Sequence, residues 1–184
     1  MNSEAAIRAA QNQWKHRGAQ RPAFALPTQP GQESVWDYPR PPALLSDTRT
    51  VQVRAKGNTA PIANSVRALR VLETAAPPTW YIPKQDIDMQ RLVELKGQSS
   101  FCEWKGAATY WAISNASAQP VAWSYEKPRS EFAALQGHIC FYPSRVECYV
   151  NDERVRPQPS EFYGGWVTDE VIGPFKGDPG TSHW

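Results

Sequence analysis

Twelve consecutive residues, from Ser100 to Trp111, carry the side chains best suited to hold or transform a small molecule. The stretch contains the thiol of Cys102, the ammonium group of Lys105 and the rings of Trp104 and Tyr110. An aromatic ring can stack on a planar ligand, and a lysine ammonium can pair with an anion. We therefore predict that this stretch forms the centre of a binding pocket.

A second aromatic segment, Pro120-Val-Ala-Trp-Ser-Tyr125, is expected to add a further wall. Period-two alternation places Val121, Trp123 and Tyr125 on one face of a strand. The predicted pocket is therefore lined by tryptophan and tyrosine, has Lys105 at its rim and takes a small planar or anionic ligand. The alternative is that the rings fill a hydrophobic core while Lys105 points to water, because large aromatic residues are mostly core material.

Two arginines are candidates for the mouth of this pocket. Arg40 is held between prolines in Tyr38-Pro-Arg-Pro-Pro42, which restricts its backbone before any ligand arrives. Arg145 opens a predicted strand near the second half of the chain. Either guanidinium can form a charge-assisted hydrogen bond with an anionic group, and the alternative for both is a salt bridge with a surface carboxylate.

An enzyme that uses a cysteine is the second hypothesis. Cys102 is the stronger nucleophile candidate because it belongs to the central stretch, and His138 is a candidate base in a neighbouring strand. Cys148 alternates with Val146 and Val150, so we expect its thiol to be buried as inert packing.

The cysteine and aspartate spacing predicts no metal and no cofactor. The chain has three cysteines, Cys102, Cys140 and Cys148, without a Cys-x-x-Cys pair, which favours reduced thiols over a zinc site or a disulfide. Asp86 and Asp88 fall at the start of a predicted helix, where carboxylates favour the helix dipole rather than a metal ion.

Short strands and rigid turns are predicted to position these residues, because the chain has 17 prolines and 8 tryptophans. Gly106 is expected to mark the corner of a hairpin within the central stretch, and Asn151-Asp152 is typical of a two-residue turn. One internal helix is predicted over 84–95 from the spacing of Ile87, Arg91 and Leu95. The predicted strands cover 48–55, 68–74, 79–82, 120–125, 138–142 and 145–150.

Charge and hydropathy limit the possible partners. The formal net charge of +2 over 184 residues predicts no nucleic-acid partner. The sequence has no apolar run long enough to cross a membrane and no secretory leader, so we predict a cytoplasmic protein without a membrane partner.

The N-terminal 32 residues are expected to form a helix and an extended proline-rich arm ahead of a single β domain over 33–184. Trp14 and Phe24 are apolar residues of this segment. The arm either lies along its own domain or reaches a second copy of the chain. The second arrangement gives a third hypothesis, a homodimer or interaction scaffold.

A set of motifs spread over residues 33–184 resembles the domain of unknown function 427 family. The motifs are Glu33-Ser-Val-Trp-Asp-Tyr-Pro-Arg40, Arg70-Val-Leu-Glu73, Pro78 to Pro83, Cys102-Glu-Trp-Lys-Gly106, Tyr110-Trp111, Ala122-Trp-Ser-Tyr125, Gly137-His-Ile-Cys-Phe-Tyr-Pro-Ser-Arg145, Gly164-Gly-Trp166 and Gly173-Pro-Phe-Lys-Gly177.

The resemblance implies a mainly β fold, a compact β-tent-like domain of two antiparallel sheets with one or two short helices. Proteins of that fold group often carry a four-cysteine zinc, which this chain lacks the cysteine pairs to hold. The family is sometimes labelled nucleotidyl-transferase-like. This sequence has no glycine-serine helix opening paired with a strand-borne Asp-x-Asp, so that chemistry remains only an alternative.

Overall fold

The computed structural model describes residues 20–184, and the described part of the chain is mainly β. Its helical segments are short 3₁₀ turns, at Val35–Asp37, Lys84–Asp86, Met89–Arg91 and Ser130–Leu135. The strands are β1 (Glu33–Ser34), β2 (Ala43–Asp47), β3 (Val51–Arg54), β4 (Pro61–Ser65), β5 (Ala68–Leu72), β6 (Thr79–Pro83), β7 (Leu92–Cys102), β8 (Gly106–Ile113), β9 (Ala122–Ser124), β10 (His138–Phe141), β11 (Glu147–Val150), β12 (Glu153–Arg154), β13 (Arg156–Pro157), β14 (Trp166–Val167) and β15 (Val171–Ile172).

Two antiparallel sheets dominate the fold, as predicted. The large sheet has seven strands in the order β2-β5-β6-β10-β9-β8-β7, and the small sheet has four in the order β12-β11-β3-β4. Two short pairs complete the structure, the antiparallel β13-β14 and the parallel β1-β15. Neither cysteine-bound zinc nor a long helix holds these sheets together in the described residues, so packing has to do so.

The small sheet follows the period-two pattern of its sequence. Val51 and Val53 of β3 are buried, as are Cys148 and Val150 of β11, whereas the residues between them are partly exposed. The β11-β12 hairpin turns at Asn151 and Asp152, both with positive φ, as the two-residue turn requires. The buried face therefore packs as the alternation predicts.

The main core lies between the two sheets. Buried residues of the small sheet pack against the large-sheet residues Trp80, Ile82, Ile139 and Phe141. Trp166 of β14 stacks on Trp80 with 6.1 Å between ring centroids. One face of the large sheet therefore packs in the main core, and its other face is free of contact with the small sheet.

The prediction of a helix over 84–95 is wrong. Two 3₁₀ turns occupy its first half, and Leu92 begins β7, which pairs with β8. The amide of Asp88 donates to the carbonyl of Ile62 over 2.8 Å, so the backbone bonds to β4 instead of closing a helical turn. Tertiary strand pairing thus overrides the local periodicity.

Gly97 interrupts the regular pairing of β7 with β8. It lies inside β7 with a φ of +86°, within the register shift between Glu94 and Ser99. A left-handed backbone in the middle of a strand is typical of a bulge, and glycine adopts it without strain.

A buried ion pair fixes the N-terminal strand to the large sheet. The guanidinium of Arg70 contacts the carboxylate of Glu33, which also accepts a hydrogen bond from the Tyr38 hydroxyl at 2.6 Å. Asp47 lies 3.9 Å from the same guanidinium, which lies over the Trp80 ring. Both partners of the pair are almost fully buried, so the pair joins β1 to β5 inside the protein.

The described part of the arm packs along its own chain. Phe24 stacks on Trp184 and meets Trp36 edge to face, each at 5.0 Å between centroids. The amide of Leu26 donates to the carbonyl of Gly173. Trp14 and the predicted N-terminal helix lie outside the described residues, and the homodimer stays a prediction. No helix among residues 20–184 combines the length and apolar character needed to cross a membrane.

Candidate functional site

One face of the large sheet carries aromatic and small polar residues in a regular pattern. Directly paired residues of an antiparallel sheet share a face, and here Ser100 pairs with Ala108, and Tyr110 with Trp123. Trp123 pairs in turn with Cys140, and Cys140 with Tyr81. Five strands therefore present one continuous surface, opposite to the face that packs on the small sheet.

A cavity of about 420 Å³ lies against this surface. The hairpin of β7 and β8 contributes the central stretch, so the predicted corner at Gly106 is confirmed. The segment 158–165 covers part of the opposite side. The sheet face lines the cavity with Tyr81, Ser100, Cys102, Ala108, Tyr110, Trp123, Tyr125 and Tyr142, and the rest of the lining includes Glu73, Lys105, Gln158, Phe162, Tyr163, Gly164 and Gly165.

Hydrogen bonds hold the aromatic rings of this wall in place. The Trp123 indole N–H donates to the Tyr81 hydroxyl over 3.1 Å, and the Trp123 and Tyr142 rings lie 4.6 Å apart. The hydroxyls of Ser100 and Tyr110 share a hydrogen bond of 2.6 Å. The wall is therefore fixed before any ligand enters, which lowers the entropic cost of binding.

Three tyrosines of this wall, Tyr81, Tyr125 and Tyr142, stay neutral well above neutral pH. Burial raises the pKa of each phenol, because desolvation disfavours the phenolate. These hydroxyls, called the wall tyrosines below, are thus uncharged hydrogen-bonding groups.

Lys105 is the one cation among the cavity-lining residues. It lies in the wall and is only 6% exposed, rather than at the rim that the sequence predicts. Its ammonium nitrogen is 3.9 Å from the nearest carboxylate oxygen, that of Glu73, and 5.9 Å from the ring centres of Tyr125 and Phe132. A buried positive charge therefore faces an apolar cavity with only distant compensation.

The segment 158–165 fits closely over the sheet, and sequence reasoning missed its role. A Cβ atom at Gly164 would lie 2.4 Å from the Trp123 ring, so only glycine permits this approach. The buried Gln158 amide donates to the Lys176 carbonyl and accepts from the Gly165 amide. The adjacent glycines before Trp166 were the available signal, since paired glycines often mark a close backbone approach.

The structure brings together four of the residues predicted to bind ligand and leaves three outside. Lys105, Tyr110, Trp123 and Tyr125 line the cavity. The other three, Trp104, Arg40 and Arg145, do not belong to its lining.

Those three residues have other surroundings. Trp104 packs against the aromatic cluster on this face of the sheet, but it borders a separate depression with Pro41 and Phe132. Arg40 is exposed. Arg145 lies over the Tyr142 ring at 4.4 Å and donates to the backbone carbonyl of Glu161 over 3.2 Å, so it braces the cavity wall from outside.

The thiols differ sharply in their surroundings. Cys140 and Cys148 are fully buried, and desolvation raises the pKa of both thiols, so they are poor nucleophiles. Cys102 is half-buried and lines the cavity. His138 lies outside the lining, and its ring nitrogen is 3.1 Å from the Gln136 carbonyl oxygen.

Asp86, the first aspartate of the Asp-x-Asp, is held in an ion pair with Arg67. Asp86 accepts hydrogen bonds from Arg67 and Ser65, and the contact with Arg67 is the main reason that its pKa is lowered. Within residues 20–184, His, Cys, Asp and Glu side chains form no group of three or more that is suited to a metal ion.

Comparison with known proteins agrees with the motifs. No curated protein sequence matches the chain. The family model described as Domain of unknown function (DUF427) matches residues 43–152, which is more than half of the chain. The chain belongs to the DUF427 family.

Proposed function

We propose that this protein is a binding module that holds a small planar or anionic molecule in the cavity above the large sheet. The observation that carries the proposal is the cavity itself: about 420 Å³ of space between rings from separate strands, with a buried ammonium in its wall. A volume of this size falls within the range of ligand pockets, and its largely aromatic lining with few polar groups is also typical of them.

The chemistry of the wall supports a ring-shaped ligand. The Trp123, Tyr125 and Tyr110 side chains offer π faces and phenolic hydroxyls, and neither the indole nor the wall tyrosines carry a charge at neutral pH. Stacking on such rings contributes about 0.5–1.5 kcal/mol for each pair beyond the area buried. A flat ligand therefore gains more here than a flexible aliphatic one.

A neutral fluorescent probe, N-phenylnaphthylamine, tests the proposal. We expect saturable binding to the native protein and a loss of about tenfold or more in the variant Ala108→Phe, because the added ring fills the cavity. The matched control is Ala107→Phe, whose side chain is exposed on the other face of β8. Circular dichroism checks the folding of both, and Ser100→Leu is a smaller filling variant if Ala108→Phe does not fold.

Equal probe affinity in both phenylalanine variants would contradict the proposal, and so would a native protein that binds neither this probe nor its sulfonated analogue, anilinonaphthalene sulfonate. Native mass spectrometry of freshly purified protein provides an independent check, since a resident small molecule appears as an added mass that unfolding releases.

Thiol chemistry is the second candidate function, and the position of Cys102 favours it. Of the three cysteines, only Cys102 lines the cavity. If it acts as a nucleophile, iodoacetamide will label native Cys102 faster than free cysteine at neutral pH. A slower rate removes this candidate and leaves the binding role unaffected.

A further inference from the structure

The charge on Lys105 is the least compensated feature of the cavity. An ammonium group has three N–H donors. Among residues 20–184, the Lys105 ammonium makes no direct hydrogen bond, and its ion pair with Glu73 spans 3.9 Å. Its two aromatic contacts, at 5.9 Å, lie at the outer limit of a cation–π interaction.

Water or a ligand group in the cavity must therefore satisfy this ammonium. A neutral ligand that fills the space displaces that water and leaves the charge desolvated, which costs free energy. A ligand with an acidic group replaces the water with a charge-assisted hydrogen bond, which is the stronger kind. The cavity thus favours an anion over a neutral molecule of the same shape.

When no acidic ligand is bound, the Glu73 carboxylate is the counter-ion of the Lys105 ammonium. It follows β5 on the cavity wall, and its side chain is 36% exposed, so its carboxylate can turn towards solvent without a large desolvation cost. Its negative charge lies close enough to repel a second anion at the Lys105 ammonium. Glu73 therefore competes with an anionic ligand for the same partner.

The net charge of the wall also limits the ligand charge. The charged lining residues are Lys105, Glu73 and the exposed Glu103, and the wall tyrosines stay neutral. Lys105 can neutralise one negative group of a ligand. A second negative group on the same ligand would find no further cation in the lining and would be repelled by Glu73 and Glu103.

We infer that the ligand of this cavity is a planar monoanion, such as an aromatic carboxylate or sulfonate, whose acidic group pairs with Lys105 and displaces Glu73. The inference rests on the proposed binding function and adds the charge of the ligand and a competing counter-ion. It gives Lys105 the role of selecting charge, and Glu73 the role of competing with the acidic group of the ligand for the Lys105 ammonium.

Two probes that differ only in charge test the inference. Anilinonaphthalene sulfonate and N-phenylnaphthylamine share the same ring frame, and only the first carries a sulfonate. We expect the native protein to bind the sulfonate more tightly than the neutral probe. The variant Lys105→Met should weaken sulfonate binding about tenfold or more, because the charge-assisted bond is lost. It should not weaken binding of the neutral probe, because that probe then no longer desolvates a charge.

The variant Glu73→Gln distinguishes a competing counter-ion from a merely structural carboxylate. Removing the competing charge should tighten sulfonate binding about threefold or more, with no change for the neutral probe. Lys127→Met is the matched control, since Lys127 is exposed and does not line the cavity. It should leave both affinities unchanged if the effect is local.

The outcomes separate the two claims. No binding of either probe overturns the proposed function together with this inference. Equal affinity for both probes, or an equal loss of sulfonate binding in Lys105→Met and Lys127→Met, overturns the inference and leaves the proposed function standing. Weaker sulfonate binding in Glu73→Gln overturns the counter-ion role. If Lys105→Met does not fold, the sign of the Glu73→Gln effect decides.

Discussion

Replacing Gly164 by alanine tests whether the segment 158–165 really presses on the aromatic wall. The new Cβ atom would lie 2.4 Å from Cη2 and 2.6 Å from Cζ3 of Trp123, whereas carbon atoms in contact are about 3.5–4.0 Å apart. The Trp123 ring is buried and hydrogen-bonded to Tyr81, so it has to move by about 1 Å towards the cavity.

The expected cost follows from these contacts. Overpacking costs about 1–3 kcal/mol, and loss of the bond to Tyr81 adds about 1 kcal/mol. Gly164 does not have a left-handed φ, so alanine there also restricts the unfolded chain and returns about 0.4–1 kcal/mol. The net destabilisation is about 1–3.6 kcal/mol, which lowers Tm by about 2–14 °C for a chain of this size.

A double-mutant cycle shows whether Trp123 is the cause. Trp123→Phe removes the two atoms nearest the new Cβ, so Gly164→Ala should cost clearly less in that background, where only the 3.0 Å contact with Cδ1 of Tyr142 remains. Urea unfolding of the four proteins gives the coupling energy. Equal destabilisation by Gly164→Ala in both backgrounds would refute the packing described for this wall.

Two further predictions concern buried groups. Burial raises the pKa of the wall tyrosines above the ordinary value of 10.0, so the unfolded chain loses those protons first as the pH rises. The free energy of unfolding should therefore fall above that pH. Urea unfolding at increasing pH measures this fall. Tyr125→Phe should reduce this slope, and an unchanged slope would contradict the burial of its phenol. Arg70→Met should destabilise the protein by about 3–5 kcal/mol in urea, because it breaks the buried ion pair with Glu33 by removing the guanidinium. Arg67→Met, which removes an exposed partner of Asp86, should have little effect, and an equal loss in both variants would count against the buried pair.

The strands with clean alternation could be predicted from sequence because their pattern is local. The alternation of apolar and polar residues predicts that Val51, Val53, Cys148 and Val150 are buried, and the structure confirms it. The hairpin at Gly106 was predictable for the same reason. The residues over 84–95 were not, because Ile87 and Leu92 are buried by partners that lie far away in sequence, in β4 and β8.

The candidate site shows the same limit. Trp123 and Tyr125 could be placed on one face of a strand from spacing alone. Trp104 and Lys105 lie in the turn between β7 and β8, where strand alternation does not apply, so the sequence does not say which of them borders the cavity. Which strands become neighbours decides that, and the order of seven strands is set by long-range pairing.

The position of the segment 158–165 has a consequence for how the DUF427 boundaries are used. The matched region ends at residue 152, yet Gly164, Gly165 and the Trp166 ring that stacks on Trp80 all come later. Truncation at the matched boundary would uncover two tryptophans and open the cavity to bulk solvent. Such a fragment is expected to aggregate, so solubility and any ligand recognition depend on the C-terminal tail as much as on the sheets.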